Sequence, residues 1–367
     1  MTAVTGPDHR TVVELMSVAD DQVDLAWLKS ALQNALMVEL ATIPPYSCGL
    51  WSIIAPPRAR TVHRTIREII FDEMSHLGLV GNMLSAIGGT PVLTSPPTYP
   101  GHLPGGVRPE LTVSLSGLTE QTLGMYADIE APEHLQIPTQ VEAAKAEQYP
   151  SIGAFYRRIS LSFERLDPEL GLGPQIEFGL SARHGTGNDI VVMKDLDTVL
   201  DSLDIVMEQG EGTNATPGNP YPGHEGELAH YYSFRELQVG RKLILRDGKW
   251  VFEGAPIAKP EAYPAAEVPA GGWAQDPAND PTGTTVGRYL TWFNEAYSTM
   301  LDRLQRAWAE PDAKRRAALV SRAIVAMGDL REYARLIMPT PLKSGAGTYC
   351  PEFRYTTPEP VSADGGA

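Results

Sequence analysis

The amino-acid sequence predicts a mainly α-helical protein built around a four-helix bundle, with long crossover loops and two extra C-terminal helices. Apolar residues recur at spacings of three and four over long segments, which is the period of one helix face. Connections rich in glycine and proline separate these segments, and the 367 residues include 34 glycines and 31 prolines. Strand-like segments are few and short, so we expect little sheet.

Composition and charge restrict the partners that the chain can have. The net charge of −15 disfavours a nucleic-acid backbone or an anionic membrane surface as a partner. The sequence has no run of about 18 apolar residues that would predict a membrane-spanning helix, and its N-terminus does not resemble a signal peptide. We therefore expect a cytoplasmic protein, in which Cys48 and Cys350 are unpaired thiols.

The helical segments are predicted to form a single domain over residues 23–355, with an N-terminal extension at 1–22 and a flexible tail at 356–367. Pro44 and Pro45 should kink or end the first long helix, and Gly88 with Gly89 should cap the second. The helices that carry the candidate site are predicted near residues 24–42, 58–87, 195–208 and 226–239. Further helices are predicted near 120–129, 140–148, 152–166, 285–309 and 312–338, with strand-like pieces at 111–115 and 189–195 and a small hairpin within 248–257.

The second helix contains polar residues on its apolar face. Its apolar positions, such as Ile66, Ile69 and Val80, follow helical spacing, and the same spacing continued through "FDEMSHLGLVGNML" selects Glu73 and His76. Isolated ionised groups are strongly disfavoured in an apolar interior. The sequence therefore predicts that something compensates the charge of these two side chains.

The other three site helices show similar inward acids. In the first helix, the last apolar residue of the stripe is Leu36, and the next position on the same face is Glu39. The fourth helix contains Glu227 and His230, which form the second of the only two Glu-x-x-His runs in the chain. The apolar stripe of the third helix continues to Glu211, and Glu208 lies beside the stripe. Gly210 could end the helix before Glu211, so both glutamates are candidates. The candidate metal ligands are Glu39, Glu73, His76, Glu208, Glu211, Glu227 and His230.

The order of these residues is typical of di-metal carboxylate sites in four-helix bundles. Side chains three apart project from the same helix face, so each Glu-x-x-His run can give one carboxylate and one imidazole to a metal. Such ligands suit two irons per chain, with manganese or zinc as alternatives. Other residues could also contribute: His224 in place of His230, or Glu130, Glu133 and His134 from the crossover. Tyr46, Tyr231 and Tyr232 flank the candidate ligands and are expected to support them structurally.

Several segments resemble one known family. They are "ALMVELATIPPYSCGLWSI", "EMSHLGLVGNMLSAIGGTPVL", "VMEQGEGT", "ELAHYYSFREL" and the closing "GTYCPEFRYTTP". The chain resembles, from about Val23 to Tyr355, the ferritin-like family of the VioB type, whose best-known member forms part of the iminophenyl-pyruvate dimer synthase of violacein biosynthesis. The resemblance implies a ferritin-like bundle that oxidises or couples an amino-acid-derived substrate in secondary metabolism. Relatives often carry a glutamate where "GAFY" has Ala154, which would alter the site if that glutamate is a ligand.

These features together predict an O2-dependent, non-haem di-iron oxidase or oxygenase acting on a small organic molecule. The sequence has no glycine-rich nucleotide loop, so electrons would come from a partner donor or from the substrate. Substrate would enter through the loops at 90–110 and 255–283, because long ordered loops are often functional. A di-metal hydrolase, a non-redox metal-binding protein and a metal-free bundle with acids paired to arginine or lysine are the alternatives. The oligomeric state stays open.

Overall fold

The computed structural model describes residues 10–55, 57–132, 151–211, 216–218 and 227–357, without the side chain of residue 211. Within these ranges the fold is mainly helical, as predicted, and its one sheet is the antiparallel hairpin of β1 (Ile244–Arg246) and β2 (Lys249–Val251). The helices are α1 (Val12–Ser17), α2 (Leu25–Ser52), α3 (Arg60–Ala86), α4 (Glu120–Ile129), α5 (Ile152–Leu166), α6 (Leu180–His184), α7 (Leu196–Glu211), α8 (His230–Val239), α9 (Thr285–Ala307) and α10 (Ala313–Ile337).

Helix α2 is longer than predicted because its two prolines do not end it. It begins after Asp24, whose side chain accepts a hydrogen bond from the Trp27 amide, and it continues to Ser52. A proline inside a helix removes the amide that would bond the carbonyl four residues earlier, so Pro45 leaves the carbonyl of Ala41 without its helical donor. The Tyr99 hydroxyl donates to that carbonyl at 2.8 Å. A contact from a distant loop therefore replaces one lost helix bond.

Helix α3 ends as predicted, in a glycine cap. Gly88 has a φ of 74°, in the left-handed region that favours glycine. The Gly88 amide donates to the Ser85 carbonyl at 2.9 Å and the Gly89 amide to the Leu84 carbonyl at 2.8 Å. This is the bonding pattern of a Schellman motif, which satisfies carbonyls at the end of a helix.

The helices pack in pairs around one apolar core. Helix α2 packs against α3, α4 against α8, and α5 against α7, and α9 and α10 form a C-terminal helical hairpin. Contacts of α3 with α7 and α8 connect the first three pairs. Within the described ranges, no helix is long and apolar enough to cross a membrane.

Other predicted elements differ from the structure in detail. Helix α8 begins at His230 and not near residue 226, and its N-cap residue Ala229 has a non-helical ψ of 153°. The strand-like pieces at 111–115 and 189–195 form only isolated bridges, from Val113 to Gly101 and from Ile190 to Phe178. The helix predicted at 140–148 lies outside the described residues.

Candidate metal centre

Five buried side chains from four helices or their ends meet inside the bundle. Their ligand atoms form two groups, Glu39 with Glu73 and His76, and Glu73 with Glu130 and His230, in each of which all atoms lie within 4.8 Å of one another. Glu73 belongs to both groups. All five side chains are buried. The structure thus brings together four of the candidate ligands, and Glu130 joins them from the end of α4.

Glu73 is central because one of its oxygens faces both imidazoles. Its Oε1 lies 2.9 Å from Nδ1 of His230 and 3.7 Å from Nδ1 of His76. A second carboxylate accompanies each histidine: Glu39 Oε2 is 3.5 Å from Nδ1 of His76, and Glu130 Oε2 is 3.8 Å from Nδ1 of His230. The arrangement is two clusters of carboxylate and imidazole that share one carboxylate.

Each imidazole is held from its outer side by an oxygen. Nε2 of His76 lies 2.8 Å from Oε1 of Gln209, and Nε2 of His230 lies 3.3 Å from Oδ2 of Asp72. The Gln209 oxygen also accepts a hydrogen bond from the side-chain amide of Asn188 at 2.7 Å, which fixes its orientation. Acceptors at Nε2 favour the tautomer that carries its hydrogen there and leaves the Nδ1 lone pair facing the centre. Metal-binding histidines are commonly oriented in this way.

Each carboxylate is held by a hydroxyl group. Tyr156 donates to Oε1 of Glu39, Thr42 donates to Oε2 of Glu73 at 2.8 Å, and Tyr46 donates to Oε1 of Glu130 at 2.5 Å. In the described part of the chain, no lysine or arginine forms an ion pair with these three acids. The metal-free alternative, in which basic side chains compensate the buried acids, therefore gains no support from the described residues.

The raised pKa values of the buried acid and histidines indicate that the centre attracts positive charge. Burial raises the pKa of Glu73 to about 7, and the neighbouring Glu130 carboxylate adds to the rise. Burial opposes a charged His76, but Glu39 and Glu73 overcome this effect and raise its pKa to about 9. Burial also opposes a charged His230, whose pKa is nonetheless raised by Asp72, Glu130 and Glu73. Cations of other kinds should be favoured there for the same electrostatic reason.

The donor set and the space between the residues fit metal ions. Nδ1 of His230 is buried and makes no hydrogen bond with any described residue, although Glu73 is near. The cavity that Glu39, Glu73, His76 and Glu130 line has a volume of about 30 Å³, which is enough for water-sized species. Oxygen and imidazole donors are typical ligands of iron, manganese and zinc. We conclude that these residues can hold metal ions.

Two of the remaining candidate ligands, Glu208 and Glu227, lie outside both groups of ligand atoms. Glu208 is half-buried on α7 and belongs to neither group, and the side chain of Glu211 lies outside the described residues. Glu227 is exposed in the segment before α8 and also belongs to neither group. Because α8 begins at His230, the prediction that Glu227 and His230 share one helix face is wrong.

Sequence reasoning did not select Asp72 or Gln209, although both contact a histidine of the centre. A weak signal existed for each: Asp72 lies three residues after Ile69 and four before His76, and Gln209 lies three residues after the buried Val206. Polar residues adjoining an apolar stripe are common on helices, so this spacing alone is not selective. Glu130 is among the alternative ligands that the sequence offers, because it could reach the site from the crossover.

The position of Ala154 adds no carboxylate to the centre. Its neighbours on α5, Gly153 and Tyr156, line the cavity, and Tyr156 donates to Glu39. Here α5 therefore contributes a phenol hydroxyl to the centre.

Comparisons with known proteins agree with this architecture. A family model described as Ferritin-like matches residues 32–239, more than half of the chain and the part that holds all five residues of the centre. Among solved structures, a ferritin-like protein from Caulobacter vibrioides is similar, with a TM-score of 0.52 and 19% identity over 90% of this chain and 97% of that one. At this identity the likeness shows a shared fold. No curated protein matches. The chain therefore belongs to the Ferritin-like family.

Proposed function

We propose that the protein is a di-iron oxidase or oxygenase that acts on a small organic molecule, in a pathway of secondary metabolism. The observation that carries this proposal is the position of Glu73, whose carboxylate is common to two groups of ligand atoms. Glu39, Glu73 and His76 would hold one iron, and Glu73, Glu130 and His230 the other. When bound and reduced, such a pair supplies the electrons that activate O2.

The charges in and around the centre suit two divalent cations. Glu39, Glu73 and Glu130 line the cavity, and Asp72 contacts His230 from outside. Once ionised, these four carboxylates together balance the charge of two divalent ions, because both histidines would bind as neutral ligands. A charge-balanced set reduces the cost of placing ions in a buried site.

The residues around the ligands would hold them in position and keep bulk water out. Thr42, Tyr46 and Tyr156 fix one oxygen of each carboxylate. The remaining wall of the cavity is largely apolar and includes Val38, Ile129, Ile152, Val206 and Met207. A site preorganised in this way favours reactions that bulk water would quench.

The central cavity is too small for an organic substrate, but a larger polar cavity lies next to it. This second cavity has a volume of about 300 Å³ and is lined by Asp72, Gln209 and His230, together with Arg64 and Glu68. Its volume is at the lower end of small-molecule sites. Because charged groups of both signs line it, a zwitterionic, amino-acid-derived substrate would suit it. In the described chain the loops at 90–110 and 255–283 line neither cavity, so we propose entry through the polar cavity.

The test is metal analysis combined with exposure to O2. Untagged protein from iron-supplemented cells should contain about two irons per chain and show a spectrum that changes on reduction and again on exposure to O2. The Glu164→Gln variant, altered at an exposed glutamate of α5 that lines neither cavity, should behave like the wild type. Less than about a tenth of an iron per chain after reconstitution would refute the proposal. Two firmly bound zinc ions without a response to O2 would favour the di-metal hydrolase instead, since paired metals can also activate water.

A further inference from the structure

A third cavity lies on the other side of the α2–α3 pair from the metal centre. Glu39 and Thr42 of α2 face the centre, whereas Leu40 and Ile43, one position further along, line this third cavity. On α3 the same division separates His76 from Leu77. Residues of α9, α10 and the segment 176–190 close the cavity, whose volume is about 110 Å³. The site is therefore separate from the metal centre, and an inference about it does not depend on the proposed function.

The walls of this cavity are almost entirely apolar, with the hydroxyl groups of Ser47 and Tyr297 as exceptions. Tyr297 of α9 lines it and is buried, and its hydroxyl makes no hydrogen bond with any described residue. The indole nitrogen of Trp308, another lining residue, is satisfied because it donates to Asn82. A buried hydroxyl without a partner is destabilising relative to one that donates a hydrogen bond. A ligand that carries a hydrogen-bond acceptor would therefore be stabilised by the Tyr297 hydroxyl.

We propose that this cavity binds a small apolar molecule, about the size of one aromatic ring, with a single oxygen that accepts a hydrogen bond from Tyr297. An apolar cavity of about 150 Å³ stays dry and takes up benzene, so the cavity here is of the right order. Met74, Met300 and Met327 line it, and flexible methionine side chains can adapt to a ligand of slightly larger size. Charged or strongly polar molecules are disfavoured because, apart from two hydroxyl groups, the walls offer them almost no polar partners.

The test compares two probes that differ by one hydroxyl group, 4-fluorophenol and fluorobenzene, by fluorine NMR on the full chain. We expect saturable binding of both, with 4-fluorophenol about fivefold to tenfold tighter, as one added hydrogen bond would give. The Tyr297→Phe variant removes the donor and little volume, and it should abolish this preference while still binding fluorobenzene.

Substitution of two valines of α10 tests whether the probes bind in this cavity. Val320 lines the cavity, whereas Val325 lies on the same helix and is 64% exposed. Val320→Phe should fill the cavity and abolish binding of both probes, and Val325→Phe should not. The proposal is overturned if neither probe binds saturably to the wild type, or if a folded Val320→Phe variant binds as well as the wild type. If Val320→Phe fails to fold, an unchanged preference for 4-fluorophenol in Tyr297→Phe overturns it.

Discussion

Oε1 of Glu73 lies 2.9 Å from Nδ1 of His230, the first residue of a helix distant in sequence. When the imidazole of His230 is neutral and carries its hydrogen on Nε2, toward Asp72, two electron-rich atoms face one another in the interior. Such a pair requires a proton or a cation between or beside the two atoms. The acids around it, with a second histidine in the same relationship to Glu73, favour metal ions in that role.

Glu73 should matter to both metals, whereas Glu39 and Glu130 should each matter to one. We predict that Glu73→Gln loses most of both ions, because it removes the shared charge, and that Glu39→Gln or Glu130→Gln loses about half of the total. Inductively coupled plasma mass spectrometry on the three variants measures this directly. Equal loss in all three would argue against a shared carboxylate.

The outer partner of His230 should tune metal affinity without touching the metal. We predict that Asp72→Asn weakens metal binding by about 10-fold to 100-fold, because the imidazole becomes less basic and less firmly oriented. Competition with a coloured chelator gives the affinity. Asp201→Asn, at an exposed position of α7, is the control and should leave the affinity unchanged. No difference between the two variants would contradict a role for Asp72.

Metal binding should release protons and strengthen as the pH rises. With a pKa of about 9, His76 carries a proton at neutral pH in the metal-free protein, and so does part of the Glu73 population, with its pKa of about 7. A metal ligand must lose that proton first. Affinity should therefore increase from pH 6 to pH 9, and calorimetry in two buffers of different ionisation enthalpy should detect proton release. Affinity that is independent of pH would exclude these groups as ligands.

The stability of the metal-free protein should show the opposite trend. Both pKa values are raised on folding, so over this range the folded state binds more protons than the unfolded state, and the free energy of unfolding falls as pH rises. The His76 contribution is complete below pH 6.5 and is lost as pH approaches 9. Urea unfolding at pH 6.5 and 9 should show a decrease that bound metal removes. A metal-free protein that is more stable at pH 9 would contradict this assignment.

Removal of the hydroxyl group should change the free energy of unfolding differently at two of the buried tyrosines, Tyr99 and Tyr297. Tyr99→Phe leaves the Ala41 carbonyl of α2 without its donor, which should lower the free energy of unfolding by about 1–3 kcal/mol. Tyr297→Phe removes a hydroxyl that has no described partner, so it should be neutral or stabilising. Chemical denaturation of both variants gives the comparison. Equal destabilisation would mean that the Tyr99 bond does not support the helix.

Helical periodicity was sufficient to predict the long helices and the inward positions of Glu39, Glu73 and His76, because these depend on local spacing. It could not predict that α2 passes through Pro44 and Pro45, since a hydrogen bond from Tyr99, distant in sequence, supports the helix there. The course of α2 is therefore set by tertiary contacts as well as by local preference.

The group of Glu73, Glu130 and His230 is harder to predict from the sequence, for a similar reason. The sequence predicts His230 and Glu227 on one helix, but the helix begins only at His230, after the non-helical Ala229. Glu130 approaches from the end of α4. On α7, Gln209, the residue after the candidate ligand Glu208, contributes a neutral amide that contacts His76. Which residue reaches the centre depends here on where a helix begins or ends, and a shift of one turn exchanges one candidate for another.

Mössbauer spectroscopy of protein loaded with ⁵⁷Fe tests the central claim most directly, because two ferric ions that shared the Glu73 carboxylate would interact magnetically. We predict that the oxidised protein contains a pair of ferric ions coupled to a diamagnetic ground state, and that Glu73→Gln lacks this signal. Magnetically isolated ferric ions in the wild type, or a coupled pair that persists in Glu73→Gln, would contradict a centre built around Glu73.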